Sequence, residues 1–161
     1  WALCQRGHME EGIPMIEKAV AAFDSVQFRI SEAGHLANLA DAQRRVGRLN
    51  EAAITCERAL RLMPEGTQFL ESEIRRVHAL VVAELAPTEL DRIENLLRGA
   101  VECAQDHRFP VLERRCLVSL AQFLDSSARP DASVESRLRE LSHLADLDRR
   151  VDRAMQNLLR V

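Results

Sequence analysis

Cys103 and His107 stand four residues apart. That spacing puts two side chains on one face of a helix, and a thiolate with an imidazole is a good pair of metal ligands. Two ligands do not complete a site, however, and His107 falls past the expected helix end, so no metal is assigned. The remaining cysteines, Cys4, Cys56 and Cys116, are isolated and each lies inside an expected helix. They read as buried thiols of a reducing compartment. His8, His35 and His143 have no neighbours that suggest catalysis. Glu10/Glu11 and Asp146/Asp148 fit helix starts or solvated faces better than acid–base pairs. No GxSxG, Walker A or HExxH stretch occurs, so the expectation is a chain that is not an enzyme and takes no cofactor.

Arginine is the other chemically conspicuous residue. Of the 22 cations only Lys18 is a lysine. Arginine binds carboxylates and phosphates bidentately, which would suit an acidic partner, although GC-rich codon usage explains most of the bias equally well. The net charge of −3 gives no footprint for nucleic acid or membrane. The absence of Tyr and the single Trp argue against a stacking platform for single strands. No apolar run approaches the ~20 residues that span a bilayer, and no signal peptide is visible. A cytoplasmic location is expected. The chain opens on Trp1 inside an expected helix, so it is expected to be a fragment of a longer protein.

The elements that carry these residues read as helices throughout. Apolar positions recur every three or four residues, and nothing alternates with period two. Helices are expected over 1–6, 9–23, 28–46, 49–62, 69–85, 89–105 and 110–124. Gly7 and Gly47 end two of them, and Pro64 with Gly66 ends another. Thr88 is the expected N-cap of the sixth, with Glu89 and Asp91 in its first turn. Asp125–Pro130 is the most linker-like stretch. From Asp131 to Val161 an apolar stripe through Val134, Leu138, Leu141, Leu144 and Leu147 predicts two helices with a bend near Asp146, one long helix being the alternative.

The registers repeat. Leu36, Val77 and Leu117 are 41 and 40 residues apart, and Leu39, Leu80 and Leu120 keep that spacing. Val20, Leu60, Val101 and Leu141 are separated by 40, 41 and 40. Ala19, Ala59 and Ala100 precede three of them, small enough for helices to approach closely. A period of this length is the mark of a helical-repeat array. The expected fold is all-α, an α-solenoid of about four antiparallel helix pairs with the first truncated. Its approximate units are 1–27, 28–66, 67–109 and 110–161, all within one domain.

The unit from Ala33 to Gly66 resembles a tetratricopeptide repeat. Leu36, Leu39 and Ala40 match the large–large–small positions of that family's first helix, and Gly47 its turn glycine. Ala52, Cys56 and Ala59 match the second helix, and Pro64 the terminal proline. Elsewhere Thr88 stands for the turn glycine, Asp24 for the proline and Glu140 for the last alanine. The resemblance implies a right-handed superhelix (TPR-like) whose first helices line a concave, partner-binding face. The positions it points to are Asn38, Asp41, Arg44, Arg75, His78, Val82, Arg115, Val118 and Gln122. Arg75 and Arg115 would stack one repeat apart and clamp an acidic peptide or a C-terminal carboxylate. The alternative is that both pair with nearby acids such as Glu71, Glu73 or Glu113.

GHMEEGIPMIEKAVAAF, ESEIRRVHALVVAEL and LERRCLVSLAQFL look like the C-terminal repeat region of bacterial adenylate-cyclase-like and LuxR-type signalling ATPases. This resemblance implies an interaction or regulatory module of a signalling ATPase or transcription regulator. Its partner would be a protein, a peptide or another domain of the same chain. Two alternatives are self-association, as a homodimer, through the C-terminal helices, and an effector-binding sensor region of a nucleotide-cyclase-like protein.

Overall fold

The computed structural model describes residues 1–63 and 70–144. Among them there are eight α-helices and one short 3-10 turn, with no strand. The helices are α1 Ala2–Gln5, α2 Met9–Ser25, α3 Arg29–Arg45, α4 Leu49–Leu62, α5 Glu71–Leu85, α6 Leu90–Asp106, α7 Pro110–Ser126 and α8 Ala132–Glu140. No described helix is long and apolar enough to cross a membrane. The expected boundaries hold within two residues wherever both ends are described. The end of the fourth connection, with Pro64 and Gly66, and everything after Leu144, including the expected bend near Asp146, lie outside the described residues. The continuous run expected from Asp131 is already interrupted earlier: α8 stops before Leu141, and a 3-10 turn covers Ser142–Leu144.

The 40-residue period has a simple origin. α2, α3, α6 and α7 are each 17 residues long. Three-residue turns join α2 to α3, α3 to α4 and α6 to α7. Helix plus turn is therefore a 20-residue module, and two modules make one period.

These turns share one backbone design. At Gly7, Gln27, Gly47, Arg108 and Ala128 the chain enters the left-handed region. In each, that residue donates its N–H to the carbonyl three residues back, and the next donates to the carbonyl five back, as Gly47 to Arg44 and Arg48 to Gln43. This is the Schellman closure, which satisfies carbonyls a helix end would otherwise strand. Glycine adopts it freely, whereas an L-residue meets its own Cβ there. Gln27, Arg108 and Ala128 hold φ 56° without that freedom. Ala128→Gly should therefore raise stability by up to about 1 kcal/mol, and Gly47→Ala should lower it by about 1 kcal/mol. Urea unfolding followed by circular dichroism checks both, and a gain from Gly47→Ala would contradict the strain argument.

The α5–α6 connection differs. Ala86-Pro87-Thr88 forms a turn closed by the Glu89 N–H on the Ala86 carbonyl. The residue at the N-cap of α6 is Glu89 rather than the expected Thr88, and no side chain caps it. Pro87 shifts the helix start by one residue beyond the threonine. By contrast, Asp131 caps α8 with its carboxylate, accepting from Ser133 N–H and Val134 N–H. Those bonds, the Ser133 hydroxyl and the Arg98 guanidinium hold its carboxyl well below the usual range.

Each helix packs against its chain neighbours, and α3, α5 and α7 also touch one another in sequence. Leu36, Leu39, Ile13, Ile16 and Val20 form one core with Ala59 and Ile74. Ile93, Leu97, Ala100, Leu117, Leu120 and Val134 form another. Ala40, Ala52, Cys56, Val77 and Val81 join α3, α4 and α5. Ala59 and Ala100, where the spacing calls for small residues, are fully buried; at Gly12, which the spacing does not mark, a Cβ would lie 2.4 Å from Cys4 Sγ. Burial pushes the Cys56 and Cys116 thiols up to about 12, so both are inert structural groups.

Candidate functional site

The residues expected on a concave face are spread over α3, α5 and α7, and several of them already have partners within the chain. Arg44 bonds Asp41 at 2.9 Å on its own helix and reaches Glu84 of α5 at 2.6 Å. Arg75 donates Nε to Glu71 Oε1 at 2.8 Å. Arg115 meets Glu73 at 3.1 Å. Positions 71 and 73 differ by about 200° around a helix. The two arginines therefore engage acids on opposite faces of α5. Both are bound to acids of the chain itself, so an acidic partner would have to displace Glu71 and Glu73. Val82 is 5% exposed and belongs to the core with Ala79 and Leu120, leaving little of it to meet a partner. Asn38 and Val118 are half-buried and Gln122 is exposed. Burial lowers the pKa of His78, with Glu57 raising it and Arg92 lowering it further, so the ring is neutral near pH 7.

The structure instead builds two matching grooves. One, of about 330 Å³, has Val101, Leu117, Leu120 and Val134 as its apolar lining and Arg98, Glu102, Gln105, Ser133 and Arg137 around it. The other, of about 340 Å³, has Val20, Ala21, Leu36, Leu39 and Ile54 with Glu17, Asp24, Thr55 and Arg58. Adding 81 to Glu17, Val20, Ala21, Asp24, Leu36 and Leu39 gives Arg98, Val101, Glu102, Gln105, Leu117 and Leu120. Adding 79 to Ile54, Thr55 and Arg58 gives Ser133, Val134 and Arg137. The same groove is thus made twice, two repeats apart. The α7–α8 connection is two residues longer than the α3–α4 one, but Ser133 is the second residue of α8 whereas Ile54 is the sixth of α4, which brings the offset down to 79.

The arginine that the following helix contributes to each groove, Arg58 or Arg137, also holds a buried carboxylate. Glu32 is fully buried on α3 and is bonded by Arg58 of α4 and, at 2.7 Å, by Arg29. Glu113 is 3% exposed on α7 and accepts from Arg137 of α8 at 2.7 and 3.0 Å, and from Gln105 Nε2 at 2.8 Å. Burial pushes the Glu113 pKa up, but the Arg137 and Gln105 hydrogen bonds more than offset it and leave it below the ordinary value. Glu73 is the equivalent residue of the middle unit, 41 after Glu32 and 40 before Glu113. There the position 41 after Arg58 is Gly99, beside which a Cβ would meet nothing within 4 Å. Glu73 turns to Arg76 of its own helix and Arg115 of α7 instead. Burial again raises its pKa, and the two arginines bring it below normal.

Sequence reading did not single out Glu32, Arg58 or Arg137, and took Glu113 only as a partner for Arg115. A signal was present: the acids recur at 32, 73 and 113, in step with Leu36, Val77 and Leu117. A glutamate in the first turn of a helix reads as a partner for the helix dipole, which hides its burial.

The Cys103–His107 pair gains a third group. Glu71, Cys103 and His107 place one carboxylate oxygen, one sulfur and one ring nitrogen within 4.8 Å of one another, and all three are half-buried. No protein-family model matches this chain, and no curated protein matches it.

Proposed function

We propose that this chain is a TPR-like interaction module, a right-handed solenoid of helix pairs that binds a protein or peptide in its inter-helix grooves. The observation that carries this reading is the twice-built groove, with its apolar floor, its charged rim and an arginine, Arg58 or Arg137, that also holds a buried carboxylate. The contacts of α3 with α5 and of α5 with α7 support the solenoid, because they set these three helices side by side in one layer. An apolar floor flanked by charges of both signs suits one face of an amphipathic helix or alternate side chains of an extended strand. The resemblance to the repeat region of bacterial signalling ATPases extends the proposal to a regulatory segment that engages a neighbouring domain.

Ile54 and Ser133 are the equivalent rim positions of the two grooves, and both are exposed. Ile54→Arg and Ser133→Arg should each preserve the helical spectrum while filling a groove mouth. Peptides selected on the wild-type chain from a display library should lose tenfold or more in affinity for one of these variants, read by fluorescence anisotropy. Loss confined to Arg75→Glu with Arg115→Glu would move the partner to the α5 and α7 arginines. A library that yields no binder, or binders indifferent to all four substitutions, discards the reading.

A further inference from the structure

Glu71 opens α5, while Cys103 lies in the last turn of α6 and His107 is that helix's C-cap. The sequence places His107 past the helix end. Yet its N–H still donates to the Cys103 carbonyl, at 3.4 Å, so the helical course continues through it and keeps the ring over the same face as the thiol. α5 packs against α6 and brings a carboxylate from 32 residues upstream to the same point.

The donor set defines the ligand class. One thiolate, one imidazole and one carboxylate suit a borderline-soft divalent ion with tetrahedral preference, whereas Mg²⁺ and Ca²⁺ demand oxygen. Zinc bonds of about 2.0–2.3 Å place tetrahedral ligands about 3.5 Å apart. The three donor atoms, within 4.8 Å of one another, have to close by about 1 Å to reach that spacing. Half-burial leaves a path for the ion and room for a water as fourth ligand. Arg75 completes the arrangement from behind: both of its bonds go to Glu71 Oε1, and Oε2 remains to ligate. Fixing a ligating carboxylate through its other oxygen is the role outer-shell donors play in metal centres.

We propose that Glu71, Cys103 and His107 form a Zn²⁺ site with a water in the fourth position, cross-linking α5 to the end of α6. On binding, the Cys103 thiol gives up its proton to solvent and the thiolate sulfur becomes the ligand.

Co²⁺ titration of the full chain tests the site. Tetrahedral cobalt should give visible d–d bands and a near-ultraviolet thiolate-to-cobalt band, both abolished by one equivalent of Zn²⁺ and untouched by excess Mg²⁺. Cys103→Ser should remove the thiolate band, and His107→Gln should weaken binding tenfold or more. Both positions are only half-buried, so circular dichroism should be unchanged. The other cysteines, Cys4, Cys56 and Cys116, are buried, which leaves Cys103 as the accessible thiol. A wild-type chain without the thiolate band, a band that survives Cys103→Ser, or an affinity indifferent to His107→Gln would each overturn the proposal.

Discussion

Replacing Arg137 with methionine should lower the stability of the folded chain by about 2–3 kcal/mol. The effect is large because of what stays behind. Glu113 keeps its carboxylate in the interior with Gln105 as its one remaining donor among the described residues. A buried charge that loses its partner is among the few single changes that destabilise strongly. The lower part of the usual range applies because the Arg137 side chain is itself 41% exposed and its charge is partly screened. Glu113→Leu combined with Arg137→Met should recover most of the loss, since removing both partners leaves no orphaned charge. A double-mutant cycle from urea midpoints measures the coupling. If Arg137→Met is within about 0.5 kcal/mol of wild type, the pair holds nothing together.

The same pair sets a pH dependence. The folded-state pKa of Glu113 is lowered relative to the unfolded value of about 4.3. Its contribution is therefore fully present above that unfolded value and is lost as pH falls through the folded one. Glu73 has the same sign and the same cause, arginine partners overcoming burial. Wild-type stability should fall below about pH 4–5, and Glu113→Leu/Arg137→Met should fall less steeply there.

Leu97→Ala should cost about 3 kcal/mol, the second large effect. Leu97 is 1% exposed and packs in the core of Ile93, Ala100, Leu117 and Leu120. Truncation removes its transfer energy and leaves a cavity between helices that are each fixed by further neighbours, so the site cannot simply collapse. Ile54→Ala, at a position 65% exposed, should change stability by less than about 0.5 kcal/mol. Comparable losses at the two positions would contradict the assignment of inside and outside. In a repeat array these losses should fall mainly on the unit that carries the change and its neighbours. Hydrogen exchange would show the α6 and α7 amides loosening before those of α2.

The sequence by itself determined the helices up to α7, most of their ends to within two residues, and the spacing of their registers. These follow from periods of 3.6 residues and from registers such as Leu36, Val77 and Leu117, which are local properties or simple spacings. It also pointed to close helix approaches at Ala59 and Ala100, both fully buried. Three things were decided only in the folded chain, the first by local backbone bonds and the other two by tertiary contacts. Left-handed turns at Gln27, Arg108 and Ala128 carry no glycine, and the backbone hydrogen bonds of the closure hold them. The burial of Glu32 and Glu113 depends on Arg58 and Arg137 arriving from the next helix, 26 and 24 residues further along the chain. Glu71 meets Cys103 and His107 only because α5 lies against α6. Arg75 and Arg115, though spaced one repeat apart, were parted for a related reason: each is taken by an acid on a different face of α5. Periodicity is written along one helix, whereas a site is a coincidence of several helices in space, and side-chain partners are chosen there.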